Sequence, residues 1–152
     1  MKTFKQHSKI NEQKIDLDKI VDVHQFEYHI VNLFGDLLNL MWRATKFLVV
    51  VGGGFVVKSL YNRYNKEARE HRKQLKVLNT AIRQERMSKA KAIMIVGYTK
   101  AAEMAEAEKK LLKKLSPEQR KEYGKDLKVL ESNFDRIISV ARDAIKAVKA
   151  RV

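Results

Sequence analysis

The chain has 152 residues, of which 45% are hydrophobic and 33% are charged, and it contains one proline and no cysteine. This balance is too apolar for a disordered chain and too charged for a polytopic membrane protein, while the lack of cysteine excludes disulfide bonds and thiolate metal sites. The net charge of +14 indicates an anionic partner, which is nucleic acid, anionic lipid or an acidic protein.

Residues 1–14, MKTFKQHSKINEQK, are polar and show no sustained hydrophobic period, so we expect a flexible leader. The opening MKTF and the triplet Ile10-Asn11-Glu12 resemble the capsid-targeting leaders of internal and prohead-core proteins in T-even-type bacteriophages. Those leaders begin Met-Lys-Thr followed by an aromatic residue, and the prohead protease cuts after a Leu/Ile-x-Glu triplet. The resemblance implies cleavage between Glu12 and Gln13, with Ile10, Glu12 and Gln13 as processing residues. An ordinary flexible tail is the alternative.

Residues 15–60 form an apolar region, and its first part is predicted to be a helix. Asp16 or Asp18 can cap this helix, which extends to Leu40 or beyond. Apolar residues recur there every three or four positions: Ile20, Val23, Phe26, Ile30, Phe34, Leu37 and Met41. Further apolar residues widen this face, so we expect most of the helix to be covered by other parts of the protein or by a partner.

The second part of this region, KFLVVVGGGFVVK at residues 46–58, contains Gly52, Gly53 and Gly54. Three glycines cost a helix in water about 3 kcal/mol, and the flanking valines favour strands. We therefore expect the helix to break here, either at a buried hairpin of two short strands or at a flexible joint. The alternative is a single-pass membrane helix over Leu40–Leu60, which is marginal because it includes Arg43 and Lys46.

A second long helix is predicted from Lys58 to about Leu115, with a weak point at Gly97. The positive charge is concentrated here, since residues 61–115 contain fifteen Lys and Arg against six Asp and Glu. Six cations are candidates for contact with nucleic-acid phosphates or another anionic partner: Arg69, Arg72, Lys73, Lys76, Arg83 and Arg86. Such a ridge can neutralise phosphates without reading sequence. A solvated helix face, balanced by nearby glutamates (Glu67, Glu70 and Glu85), is the alternative interpretation.

The C-terminal part is predicted to be an antiparallel helical hairpin over residues 86–151. Ser116-Pro117-Glu118-Gln119 carries a capping box, which marks the start of the last helix. That helix has an unbroken heptad seam: Leu127, Leu130, Phe134, Ile137, Ala141, Ala144 and Val148. The preceding segment offers a partner seam, interrupted by Glu108: Ala90, Met94, Gly97, Ala101, Met104, Leu111 and Leu115. Because both seams are rich in small residues, we expect a third helix or another subunit to cover them.

No catalytic pattern is present in the sequence. The four histidines lack metal-ligand spacing, and the glycines match neither the phosphate-loop nor the dinucleotide-binding pattern. We therefore expect a mainly α-helical protein that is not an enzyme and has no cofactor or metal.

The function predicted on these grounds is that of a structural or assembly protein of a tailed-phage virion, present in the host cytoplasm during assembly. It would associate with itself or other structural proteins through its apolar helices, and its basic face would meet DNA or acidic partners. The runner-up is a small membrane-anchored subunit of a larger complex. A free-standing nucleic-acid-binding protein is the third possibility.

Overall fold

A computed structural model describes residues 23–52 and 57–152 of the chain. The helices within these ranges are α1 (Val23–Gly52), α2 (Val57–Arg83), α3 (Met87–Lys113), α4 (Pro117–Glu122) and α5 (Gly124–Arg151). The described ranges contain no β-strand, so the mainly α-helical class predicted from the sequence is confirmed.

The four long helices run alternately up and down. Phe34 of α1 stacks on His71 of α2, and Trp42 lies against Tyr61, so the later part of α1 meets the earlier part of α2. The same reversal relates α2 to α3, since Arg63 in the first part of α2 pairs with Glu108 in the last part of α3. Ion pairs of Lys109 with Asp135 and of Glu106 with Arg142 join α3 to α5 and show that these two helices are antiparallel as well. The result is an antiparallel bundle in which α1 and α3 also contact each other and separate α2 from α5.

The core is formed by the apolar faces of all four long helices. Phe26, Leu37 and Met41 of α1 are at most 1% exposed, as expected from the period of three and four. Every residue of the α5 seam is buried: Leu127, Leu130, Phe134, Ile137, Ala141, Ala144 and Val148. Because α1 packs on both α3 and α5, the third helix that the small residues of the seams required comes from the same chain.

Gly97 lies in the middle of α3, where the sequence predicted a weak point, and the helix is continuous through it. A Cβ atom at this position would lie 2.7 Å from Cδ1 of Ile30 in α1. The missing side chain therefore lets α1 and α3 approach closely. The glycine is explained by packing between helices and not by a local break.

The predicted continuous helix from Lys58 to Leu115 is wrong, because α2 ends at Arg83 and α3 begins at Met87. Glu85 adopts a left-handed backbone conformation with φ of 56°. The amide of Glu85 donates to the carbonyl of Ile82, and the amide of Arg86 donates to that of Ala81. These two bonds are the Schellman pattern that closes a helix. Glycine usually occupies the left-handed position, so a glutamate there gave no signal in the sequence.

The expectation of a strand over Phe47–Val51 is also wrong, because α1 is helical as far as Gly52. Phe47 packs edge-on against Tyr123, with ring centroids 5.7 Å apart. Gln119 donates from Nε2 to the carbonyl oxygen of Val51 at 3.0 Å, which satisfies one of the last carbonyls of the helix. Tertiary packing thus outweighs the strand preference of the valines.

The chain reverses direction between Gly52 and Val57, so α1 and α2 do not share one helical axis. Gly53, Gly54 and Phe55 lie outside the described residues. None of the helices in the described ranges combines the length and the apolar character needed to span a membrane.

The capping box predicted at the start of the last helix is present. The Ser116 hydroxyl accepts from the amide of Gln119, and the Gln119 side chain accepts from the amide of Ser116. The helix that it starts is short, because Tyr123 departs from helical geometry and separates α4 from α5. The hairpin of α3 and α5 is therefore joined by a turn and one short helix.

Candidate nucleic-acid interface

The solvent side of α2 carries a continuous set of cations. All six candidate cations are exposed. On a helix that turns by about 100° per residue, five of them fall with Lys66 in one sector of roughly 120°, opposite the buried Leu78 and Ile82. This set is called the basic face below: Lys66, Arg69, Arg72, Lys73, Lys76 and Arg83. Arg86 follows in the turn after the helix.

The two acidic residues of α2 do not lie on the basic face. Glu67 turns toward α3, where its carboxylate is 3.7 Å from Nζ of Lys100 and its side chain is 15% exposed. Glu70 borders the groove between α2 and α3. Glu67 therefore does not offset the charge of the outer sector, while the exposed Glu70 lies at its edge beside Lys66 and Lys73. Glu85, the third glutamate considered for this purpose, lies in the turn beyond the end of α2.

An ion pair lies behind Glu67 at the same helix interface. Arg63 of α2 contacts Glu108 of α3, whose side chain is fully buried, while that of Arg63 is 30% exposed. Burial raises the pKa of Glu108, and the neighbouring Glu67 adds to this, whereas the Arg63 guanidinium lowers it. The pair explains why Glu108 interrupts the apolar pattern of α3. From the sequence alone, Glu108 was only a charged residue that interrupts the apolar seam of α3. Its partner Arg63 could not be identified there, because it lies 45 positions away.

A groove of about 320 Å³ opens between α2 and α3. Its lining includes the largely buried Ile30 and Phe34 of α1 and Gly97 of α3. His71 lines one wall and stacks on Phe34, with ring centroids 3.9 Å apart. Burial lowers the pKa of His71 to about 4, so its imidazole is neutral near pH 7. The exposed lining of the groove is mostly apolar, although charged residues of both signs (Glu67, Glu70, Lys73 and Lys100) also line it, so the groove does not select one ligand class.

An aromatic cluster lies where α1 and α2 meet at the surface. Trp42 of α1 contacts Tyr61 and Tyr64 of α2, with ring centroids 5.2 and 5.3 Å apart. The ammonium of Lys46 lies 5.7 Å from the centre of a Trp42 ring. All three aromatic side chains are partly exposed. The cluster adjoins the basic face, since Tyr64 shares the lining of a polar cavity with Arg69 and Arg72.

The other residues singled out in the sequence fall into two groups. The processing residues Ile10, Glu12 and Gln13 lie outside the described part of the chain. The seam residues of α5 and the apolar face of α1 pack against each other and against α3 within one chain. In the described ranges, no group of three or more His, Asp or Glu side chains is placed to hold a metal ion.

Comparison with known proteins assigns the chain to no family. No family model matches it, and no curated protein or solved structure matches it either.

Proposed function

We propose that the protein binds nucleic acid without sequence specificity through the basic face of α2. The observation that carries this proposal is that six cations fall in one outward sector of α2, while Glu67 turns toward Lys100 of α3 and Glu70 lies at the edge of that sector. A helix face that merely needs to be soluble mixes both signs of charge. A face of one sign attracts a polyanion over a distance of about a Debye length, which is near 10 Å at 0.1 M salt.

The dimensions of the basic face suit a nucleic-acid backbone. From Lys66 to Arg83 the helix rises by about 25 Å, and apart from the adjacent Arg72 and Lys73 the cations recur at intervals of about one to two turns. Duplex DNA carries about one charge per 1.7 Å of axis, so each cation along this length has a phosphate within reach. The cations are also exposed and held on a rigid helix. Contacts of this kind fix the position of the protein on the backbone and read no bases.

A structural role in the head of a tailed phage is the setting that we propose for this binding. It rests on the leader sequence, which resembles those of proteins packaged inside the capsid and implies processing after Glu12. A basic protein without catalytic groups suits a compartment filled with DNA, since it can neutralise phosphates there. The setting and the binding are separable, and each has its own test.

The binding is tested by replacing Arg69, Arg72, Lys73 and Lys76 with glutamine and measuring affinity for a duplex by fluorescence anisotropy across a salt series. Each phosphate contact contributes about 0.9 to the slope of log K against log salt, so the slope should fall by about 3 to 4. The circular dichroism of the variant should remain that of the helical parent, because all four side chains are exposed.

The matched control removes the same charge from α5, where Lys125, Lys128, Lys146 and Lys149 are exposed. Their replacement by glutamine should leave the slope nearly unchanged. Equal losses in the two variants would show that net charge acts and the basic face does not, which would overturn the proposal. An unchanged slope in the α2 variant would overturn it as well.

A further inference from the structure

We infer that the protein prefers single-stranded to duplex nucleic acid, with bases stacking on the aromatic cluster of Trp42, Tyr61 and Tyr64. This inference rests on the proposed function, since it assigns the kind of nucleic acid that the basic face would hold. The observation behind it is a contact between residues of two different helices. Tyr61 and Tyr64 alone are too few for stacking, but the reversal between α1 and α2 adds Trp42 to them within about 5 Å.

The cluster and the basic face form one continuous strip. Tyr61, Asn65, Ala68 and Arg72 follow each other at steps of three or four along α2, so they lie on one side of it and span about 16 Å. A polar cavity of about 410 Å³ lies on this strip, lined by Asn62, Tyr64, Asn65, Ala68, Arg69 and Arg72. The small side chain of Ala68 forms the bottom of the depression, while longer side chains form its edges.

The chemistry of this strip matches that of an unpaired nucleotide. Arginines neutralise the phosphate, partly exposed aromatic rings offer faces on which bases stack, and asparagine amides can donate to and accept from base edges. A duplex offers its phosphates and the groove edges of its bases, but its base faces are stacked on each other and are not free to stack on aromatic rings. Lys46, whose ammonium lies 5.7 Å from the centre of a Trp42 ring, adds a further cation to the cluster.

The alternative is that the aromatic rings only pack α1 against α2. In that case the cluster contributes to stability, and single strands and duplexes compete equally for the basic face. The two interpretations differ in a measurable quantity, which is the ratio of the affinities for single-stranded and duplex probes at the same salt concentration.

Trp42 is the only tryptophan of the chain, so its fluorescence reports directly on the cluster. Titration of the full chain with an oligothymidylate of about 20 nucleotides should quench this fluorescence, while a duplex of the same length should bind with little quenching. Tyr64→Leu should weaken single-strand binding by about 5- to 100-fold and leave duplex binding within about twofold, since one stacked base is lost.

Two further variants serve as controls. Tyr64→Phe keeps the ring and should retain the preference for single strands, which separates stacking from loss of folding. Tyr28→Leu removes an exposed tyrosine on α1, 14 positions before Trp42, and should change neither affinity.

The outcomes distinguish this inference from the function on which it rests. Equal affinity for single strands and duplexes, or an equal loss of both in Tyr64→Leu, would overturn the stacking role and leave the basic face intact. Absence of salt-dependent binding to either probe would overturn both.

Discussion

Replacing Arg63 with methionine should destabilise the bundle more than replacing Glu108 with leucine, although each change removes the same ion pair. The two partners differ in their access to water, since the Glu108 side chain is fully buried and that of Arg63 is 30% exposed. In Arg63→Met the carboxylate of Glu108 is left without its cation in the interior. In Glu108→Leu the guanidinium of Arg63 loses its partner as well, and its Nε and Nη2 atoms are buried, but its long, 30% exposed side chain can turn toward solvent or toward Glu67 one turn along α2.

The magnitudes follow from this asymmetry. Leaving one member of a buried pair alone costs about 3–5 kcal/mol, which is the expected loss of unfolding free energy for Arg63→Met at pH 7. For Glu108→Leu, the lost charged hydrogen bond of about 1.5–3 kcal/mol is offset by a similar gain from burying leucine, so the net change should be within about 1.5 kcal/mol. The double variant should be close to neutral, because a buried pair replaced by apolar side chains often costs nothing.

The effect of Arg63→Met should also depend on pH. Burial raises the pKa of Glu108 in the folded state and Arg63 opposes this, so removing Arg63 raises the pKa further. The folded variant then binds a proton more readily than the unfolded chain, whose glutamates titrate near 4.3. Stability is therefore lost as pH rises above about 4 through the folded pKa, and the penalty relative to the parent should be largest near pH 7 to 8 and shrink on acidification.

Urea denaturation followed by the helical circular dichroism signal, at pH 5 and pH 7.5, measures these differences. Arg142→Met is the control, since it removes an exposed ion pair with Glu106 between α3 and α5 and should cost less than about 1 kcal/mol. The reasoning fails if Glu108→Leu proves as costly as Arg63→Met at neutral pH. It also fails if the penalty of Arg63→Met grows as pH falls.

Three further outcomes are expected. Gly97→Ala should leave the stability in thermal denaturation nearly unchanged, because a gain in helix propensity of about 1 kcal/mol offsets the clash with Ile30. Gly97→Leu should lower the stability by about 3 kcal/mol or more. A tolerated leucine would show that α1 and α3 are not in close contact. Burial lowers the pKa of His29 to about 4, and its Nδ1 lies 2.7 Å from the Tyr98 hydroxyl. The folded protein therefore holds His29 neutral at pH values where the unfolded chain binds a proton. The free energy of unfolding should be largest above pH 6.5 and should fall by up to about 3 kcal/mol as the pH is lowered toward 4. In His29→Gln the part of this stability loss that is due to His29 should disappear, as measured by urea denaturation at pH 5 and pH 7.5. A variant whose stability depends on pH as the parent's does would contradict this prediction. Co-expression with the matching prohead protease should give a mature chain that lacks the first 12 residues by mass spectrometry, and Glu12→Ala should block this; an intact leader in mature particles would contradict the processing.

Much of the fold was predictable because burial follows the helical period. The apolar positions of α1 and the seam of α5 were readable from spacing alone, and so was the capping box at Ser116. The boundaries were less readable where packing or backbone geometry decided them. The break after Arg83 is closed by a glutamate in a left-handed conformation. The segment before Gly52 stays helical, with Phe47 packed on Tyr123 and the Val51 carbonyl accepting from Gln119 of α4.

The candidate site divides in the same way. The cations of α2 were identifiable from the sequence, since clustered charge and helical spacing are local properties. The angular position of Glu67 on α2 was readable from the helical period as well, but that α3 packs on that side and brings Lys100 to it was not. The groove between α2 and α3 could not be predicted from the sequence either, because it exists only where those two helices pack together.

The sequence by itself determined that this chain is helical, which faces of its helices are apolar, and that α2 is rich in cations, because each of these properties repeats within a few residues along the chain. Only the tertiary structure decided which charged residues share a surface and which aromatic rings are in contact. Glu108 contacts Arg63, and Trp42 contacts Tyr61 and Tyr64, only because the chain reverses direction between the helices that carry them. Such contacts join residues far apart in the sequence, and their partners are selected by the packing of whole helices and not by any local pattern.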